Sequence, residues 1–309
     1  MTTRLYEHSI FKEHVTPPSH PERVDRLRAL EEALTAEPFQ LLERVEAPRA
    51  DESAVLLAHP EKHLESVKTQ MPEEGFNRID EDTVANPKTF DASMHGLGAA
   101  MSAVDAVIAG DVDNAFIAAR PPGHHAEKTT AMGFCVFNTV AVAARHAQCA
   151  HGLERVAIVD FDVHHGNGTQ DIFWDDSSVL FCSTHQMPLY PGSGAKTEEG
   201  AHANIINAPL SPGDAGEHFR EAFKSRVLTA LDDFRPELII VSAGFDAHHR
   251  DPLAQINLVE DDFDWVTGRL MDAAGRHCDN RIVSSLEGGY DLQGLATSAA
   301  THIHRLMRG

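Results

Sequence analysis

Between Arg155 and Gln170 the chain reads RVAIVDFDVHHGNGTQ, an apolar run that breaks into two aspartates and two histidines within six residues. The alternation of a strand sends Asp160, Asp162 and His164 to one side. Buried together without a counter-charge, the carboxylates would repel one another at a cost of roughly several kcal/mol, and a bound cation removes that conflict. A lone Asp-x-His would be read as a loop salt bridge. Three further apolar runs end in the same manner, however: AFIAA leads into RPPGHHA, ELIIVSAG into FDAHHRDPL, and RIVSSLEGG into YDL. In an open parallel sheet ligands bind beyond the carboxyl ends of the strands, so four polar ends of this kind describe one site.

Asp162 and His164 from one strand end and Asp246 from another offer a cation three ligands and leave room for water or substrate. Two carboxylates and one imidazole suit a hard or borderline divalent ion, Zn²⁺ first and Fe²⁺ second, and no clustered cysteines suggest a structural zinc. Such an ion acidifies water, but breaking an amide also needs a group that takes and returns protons. His124 and His125, consecutive after Pro121, Pro122 and Gly123, are the candidates, with Asp160 and Asn167 as orienting partners behind them. Tyr290, after Gly288 and Gly289, supplies a phenol to polarise a carbonyl and hold a developing oxyanion.

These ends must be carried by a mainly parallel α/β sheet covered on both faces by crossover helices. The apolar runs AFIAA, RVAIVDF, SVLFCS, ANIINA, ELIIVSAG and RIVSSLEGG read as strands. Helices are expected across PERVDRLRALEEALTAE, opened by Ser19 and Pro21, across HLESVKTQM, and over Thr89–Ile108, Phe137–His151, Asp214–Phe234, Glu260–Arg276 and Gln293–Met307. No repeat or linker divides the 309 residues, so a single domain over 1–309 is expected. The formal net charge of -21 disfavours direct binding to nucleic acid or to an anionic membrane and favours basic partners. Four scattered cysteines fit a reducing cytoplasm, and the absence of an apolar leader or of 18 uninterrupted apolar residues gives no expectation of secretion or membrane spanning.

The motifs HPERVDRL, RPPGHHA, GFCVFN, VDFDVHHGNGTQ, YPGSG, AGFDAHHRDPL and EGGYDL occur in the order found in the histone deacetylase and acetylpolyamine amidohydrolase family, and the chain resembles that family over nearly its whole length. Asn167, where vertebrate class I enzymes have Asp, makes it similar to the class II branch. The resemblance implies the arginase-deacetylase fold, a single three-layer α/β/α domain with an eight-stranded mainly parallel sheet. It also implies a metal held by Asp162, His164 and Asp246, a tandem histidine pair at His124 and His125, and Tyr290 as the carbonyl-polarising tyrosine. By the same likeness Gly133 and Phe134 belong to a narrow substrate channel, Tyr190 replaces a Phe on its opposite wall, and Leu253 stands where an acetylpolyamine-selective relative has Glu. Asp82 matches a rim carboxylate or is an ordinary surface acid. Arg26 matches an arginine behind the site or is a helix-face charge. A structural potassium is implied near Asp160, with Ser183 as a partner.

A dinuclear manganese site of the arginase kind needs carboxylates at the positions of Gly166 and His248, so one metal is expected. The expected activity is hydrolysis of N-acetyl amides to acetate and free amine, on acetyl-lysine side chains or on small acetylated amines such as acetylpolyamines. A non-catalytic acetyl-lysine binding module is the remaining alternative. Residues 76–87 and 186–200 are expected to shape the channel mouth, where a homo-oligomeric partner is another way of narrowing it. His185 and His248 are left as rim or loop residues.

Overall fold

The computed structural model describes Met1–Gly309 and contains an eight-stranded, wholly parallel sheet in the order β2-β1-β5-β10-β9-β6-β7-β8. The strands are β1 (Thr3–Glu7), β2 (Glu43–Glu46), β5 (Asn114–Ile117), β6 (Val156–Asp160), β7 (Val179–Gln186), β8 (Ile205–Leu210), β9 (Leu238–Ala243) and β10 (Ile282–Leu286). A two-stranded antiparallel ribbon, β3 (Asn77–Arg78) with β4 (Val84–Ala85), stands apart from them. Strands β5, β6, β7, β9 and β10 are buried along their whole length, which is why β6 and β9 read as near-continuous apolar runs and none of the five alternates apolar with charged residues.

One face of the sheet is covered by α4 (Thr89–Ala109) and α5 (Thr139–His151), and the other by α9 (Glu260–His277) and α10 (Leu292–Arg308), with α2 (Asp25–Ala33) packed on α10. Together with the strands they enclose one contiguous core of 80 buried apolar residues. Helix α4 has the length and hydropathy of a membrane span, yet most of it is buried here, where its Ala and Gly residues lie against β5 and α5.

Several sequence expectations need correction. The first long helix starts at Asp25, not at Ser19 or Pro21; Ser19 has a positive φ of 70°, which belongs to a turn. The expected helix over 214–234 runs from Gly216 to Phe234 without a break, as α7 (Gly216–Ala222), a π-helical stretch at Phe223–Leu228 and α8 (Thr229–Phe234). The helix expected from Phe137 begins at Thr139, because Asn138 caps it by accepting a hydrogen bond from the Ala141 N–H. Strands β1 and β2 escaped the reading of apolar runs: both lie at or beside the sheet edge and carry charged residues that the edge leaves partly exposed.

Segment 48–50 crosses α4 at Gly98, where a Cβ would collide with the Pro48 carbonyl oxygen and lie 2.8 Å from the Ala50 nitrogen. At Gly96, one half-turn away, the nearest atoms to such a Cβ are at ordinary contact distances of 3.8 and 3.9 Å. Gly98→Ala is therefore expected to destabilise the fold by about 1–3 kcal/mol. Gly96→Ala is expected to stabilise it by up to about 1 kcal/mol through helix propensity. Denaturant titration of the two variants checks the pair, and equal effects would show that the crossing does not need the missing side chain.

Candidate active site

The four polar strand ends belong to β5, β10, β9 and β6, which are consecutive neighbours in the middle of the sheet. Pairing aligns Ile117 with Ser285, Leu286 with Ala243 and Ser242 with Asp160. The segments that follow are thereby delivered to one spot from positions more than a hundred residues apart. Alternation along the strand does not place Asp162 and His164, contrary to the simple reading, since β6 stops at Asp160. The loop beyond it does so through local bonds: Asp160 Oδ1 accepts the Asp162 N–H at 3.0 Å, and Asp162 Oδ1 accepts the His164 N–H at 2.9 Å.

Asp162, His164 and Asp246 come together, with one ligand atom of each within 4.8 Å of the others and all three residues buried. His164 Nδ1 lies 3.0 Å from Asp246 Oδ2 and 3.3 Å from Asp162 Oδ1. Backbone donors hold both carboxylates in place: Gly288 N–H to Asp162 Oδ2 at 2.7 Å, and Val163 N–H to Asp246 Oδ1 at 2.8 Å. Gly288 is close enough that a side chain there would run into Asp246. Burial lowers the basicity of the His164 imidazole, but its hydrogen bonds to Asp162 and Asp246 outweigh this and lift it to about 10. Two oriented carboxylates and one imidazole fit a single divalent ion.

His124 and His125 stand beside this group with ring centroids 4.0 Å apart. His124 Nδ1 is 2.9 Å from Asp160 Oδ2, and His125 Nδ1 is 2.7 Å from Asn167 Oδ1. Asp160 and Asn167 therefore occupy the orienting positions expected of them. The Asn167 amide nitrogen donates to Glu127 Oε1, so its oxygen faces His125 and accepts the Nδ1 proton. The two imidazoles are driven apart. Burial opposes protonation of both, but in His124 the charges of Asp162 and Asp160 prevail and raise its pKa well above 6.5, whereas burial and the neighbouring His124 hold His125 well below that value.

His125, His164 and Tyr290 open into a cavity of about 210 Å³ that is also lined by Asp82, Gly133, Phe134, Leu189, Tyr190 and Leu253. Every expected channel residue is there, and Leu189 is an addition. Phe134 and Tyr290 meet edge to face at 5.9 Å, and Tyr190 stands edge-on to His125 at 5.2 Å. Asp82 is no detached surface acid: its Oδ1 accepts the Gly133 N–H at 3.0 Å. His124 does not line the cavity and lies behind His125.

Arg26 is fully buried rather than a helix-face charge. It donates from Nε to the Gly289 carbonyl at 2.7 Å and from a terminal nitrogen to the Glu287 carbonyl, and its guanidinium lies 5.0 Å from the Tyr290 ring centroid. Its charge is matched by buried Glu22, which also binds Arg120. Residues that the sequence reading missed include Glu287, whose Oε2 accepts the Gly123 and His124 N–H groups at 2.7 and 3.2 Å. Asp251 was missed as well, although it accepts the N–H groups of Tyr290 and Leu253 at 2.7 and 3.0 Å. An acid directly after a wholly buried, uncharged strand was the available signal for Glu287. Ser183 and His185 bond to each other at 2.9 Å, and His185 reaches the Gly194 carbonyl, which ties down the loop that carries Tyr190. His248 is buried beside Glu260 and the start of α10 and is not part of the Asp162, His164 and Asp246 group.

A sequence profile of the histone deacetylase domain matches residues 20–306. The chain belongs to the histone deacetylase family. It is 41% identical over 276 residues to the histone deacetylase-like amidohydrolase of Pseudomonas aeruginosa, covering 87% of this chain and 71% of that one. It is 37% identical over 309 residues to histone deacetylase 14, chloroplastic, of Arabidopsis thaliana, covering 94% of this chain and 73% of that one. The crystal structure of the HDA15 HD domain superimposes with a TM-score of 0.93 at 34% identity, covering 99% of this chain and 88% of that one. The expected arginase-deacetylase fold is thus the fold of this histone deacetylase family member.

Because His164 is raised to about 10, it carries its proton at neutral pH until a cation displaces it. Binding of the first Zn²⁺ to metal-free protein near neutrality is expected to release about one proton from this group, and affinity should rise about tenfold per pH unit until the imidazole is neutral. Calorimetric titrations in buffers of different ionisation enthalpy measure the release. Uptake of Zn²⁺ with no proton released would remove His164 from the ligand set.

Proposed function

We propose that this protein is a metal-dependent deacetylase that hydrolyses N-acetyl amides on slender alkyl amines to acetate and free amine. The observation that carries the reading is the meeting of a neutral imidazole, an un-ionised phenol and a cation-binding triad at the end of one narrow cavity. At about 210 Å³ the cavity is smaller than the roughly 300–1,000 Å³ of sites for drug-sized ligands, which suits an extended acyl-amine chain. Zn²⁺ or Fe²⁺ held by Asp162, His164 and Asp246 would supply Lewis-acid polarisation of the acetyl carbonyl and lower the pKa of water.

The chain's own residues account for the proton movements. His125 keeps its Nδ1 proton on Asn167, which leaves the Nε2 lone pair toward the cavity as general base. As water adds to the acetyl carbon, Nε2 takes its proton and later returns it to the departing amine when the C–N bond breaks. His124 is held by Asp160, whose carboxylate favours the cationic form of its imidazole, and it positions the neighbouring His125. Tyr290 donates a hydrogen bond to the oxyanion. Burial and the nearby carboxylates raise its pKa well above 10 despite Arg26, so the phenol keeps the proton it must donate. Phe134, Tyr190, Leu189 and Leu253 hold the alkyl chain, and Asp82 stands at the channel with its Gly133 bond fixing one wall. A structural potassium near Asp160 and Ser183 belongs to the same reading.

Turnover of purified protein loaded separately with Zn²⁺ and Fe²⁺ tests this on acetyl-lysine peptides, N-acetylputrescine, N-acetylspermidine and a simple acetyl ester. The ranking of kcat/KM separates a protein deacetylase from an acetylpolyamine amidohydrolase. No turnover of any amide by metal-loaded protein would leave only acetyl-lysine binding. Tyr290→Phe is expected to lower kcat by a factor on the order of 10² to 10³ while KM changes little, the scale for loss of an oxyanion donor. Unchanged kcat would remove the phenol from the mechanism.

A further inference from the structure

A second group of metal-ligating side chains lies at the opposite end of the sheet. Asp105, in the last turns of α4, and His146 and His151, in the last turns of α5, place one ligand atom each within 4.8 Å of the others. Both imidazoles turn to the same carboxylate oxygen: His146 Nε2 is 2.6 Å from Asp105 Oδ1, and His151 Nε2 is 2.7 Å from it. The rings meet edge to face at 5.7 Å. No other protein group engages either imidazole, so the shared oxygen alone fixes their direction.

The electrostatics of the position favour a cation. Helices α4 and α5 pack side by side, and both terminate here, at Gly110 and Gly152 in left-handed caps. Each C-terminus contributes about half a negative charge from its unpaired carbonyls, and the Asp105 carboxylate adds to that field. An acid in the last turns of a helix is unfavourable by itself, and the two imidazoles only partly offset it.

We propose that Asp105, His146 and His151 form a second, peripheral site for a divalent transition metal, with water completing the coordination. Two imidazoles and one carboxylate suit Zn²⁺, Ni²⁺ or Cu²⁺ in preference to Mg²⁺ or Ca²⁺. Ligand bonds of about 2.0–2.2 Å require the two Nε2 atoms to move less than about 1 Å away from the Asp105 oxygen. All three side chains retain some exposure, 13% for His146, 25% for His151 and 53% for Asp105, so that adjustment and the entry path are open. A bound ion would clip the ends of α4 and α5 together at the end of the sheet where β5 and β6 begin, opposite the end that carries Asp162. The site is independent of the function proposed for that centre.

Calorimetric titration of the full chain with Zn²⁺ at neutral pH tests the assignment. Wild type is expected to take up a second equivalent after the first and to melt at higher temperature once it is bound. The double variant His146→Ala/His151→Ala should lose that second equivalent and its thermal shift while keeping the first and its turnover. Cys149 is an exposed thiol on α5, so Cys149→Ser is the control for binding by sulfur and should keep both equivalents. A wild type that binds a single equivalent, a double variant that still binds two, or loss of the second equivalent in Cys149→Ser would each overturn the proposal. Loss of the first equivalent in Asp162→Ala, with the second retained, separates failure at one centre from failure at the other.

Discussion

Asp160, Asp162, Asp246 and Glu287 are four carboxylates with no solvent exposure, gathered at the ends of adjacent strands. Placing so many acids in one dry volume is the most costly feature of the molecule. Much of the surrounding structure is arranged to meet that cost. Backbone N–H groups of Gly123, His124, Asp162, Val163, His164 and Gly288 point at carboxylate oxygens, and His124 and His164 sit between the acids as partners. What is left over is a negative centre with an oriented donor set, which is a description of a cation site. Burial keeps Glu287 high, at about 7, and Asp160 at about 6, so these two acids share protons with their surroundings more readily than Asp162, which its histidine partners hold low.

The same constraint explains the division of labour between consecutive histidines. Identical side chains one residue apart differ because one faces an aspartate and the other an asparagine amide oxygen. A carboxylate stabilises the imidazolium, whereas an amide oxygen accepts a proton without offering a full charge. Position then puts His125 in the cavity wall, which His124 does not reach. Arg26 does comparable service for the last strand end. By binding the carbonyls of Glu287 and Gly289 it fixes the turn before Tyr290 and lies over the phenol ring, while Asp251 binds the Tyr290 and Leu253 N–H groups from the other side. The tyrosine is thus held by two charged groups, neither of which is adjacent to it in sequence.

The mouth is built by pieces that are irregular in sequence and in structure. Asp82 follows the β3 strand of the small ribbon, and Leu189 and Tyr190 lie in the loop after β7. Both pieces are anchored by polar contacts to the scaffold, through the Gly133 N–H for Asp82 and through the His185–Gly194 bond for the Tyr190 loop. His185, unassigned from sequence, is therefore a brace for one channel wall. Glycine at 133 lets that loop pass against the His125 ring, where a Cβ would clash.

By itself the sequence determined the residue types of the site, the central buried strands and the helices between them, since continuous β-branched runs and 3.6-residue periodicity are local properties. It also singled out Asp162, His164, Asp246, His124, His125 and Tyr290, which the structure brings together, because a polar cluster at the end of a buried strand stands out from its own neighbours. Edge strands β1 and β2 and the late start of α2 escaped it, as charged edge residues and turn dihedrals leave weak local signals. Only the tertiary structure decided that β5, β10, β9 and β6 lie side by side, that Arg26 is buried beneath Tyr290, and that Asp105 meets two histidines of another helix. Those facts depend on which strand pairs with which and on how helices pack. Pairing order is chosen by the burial of the whole core, so no window of sequence contains it.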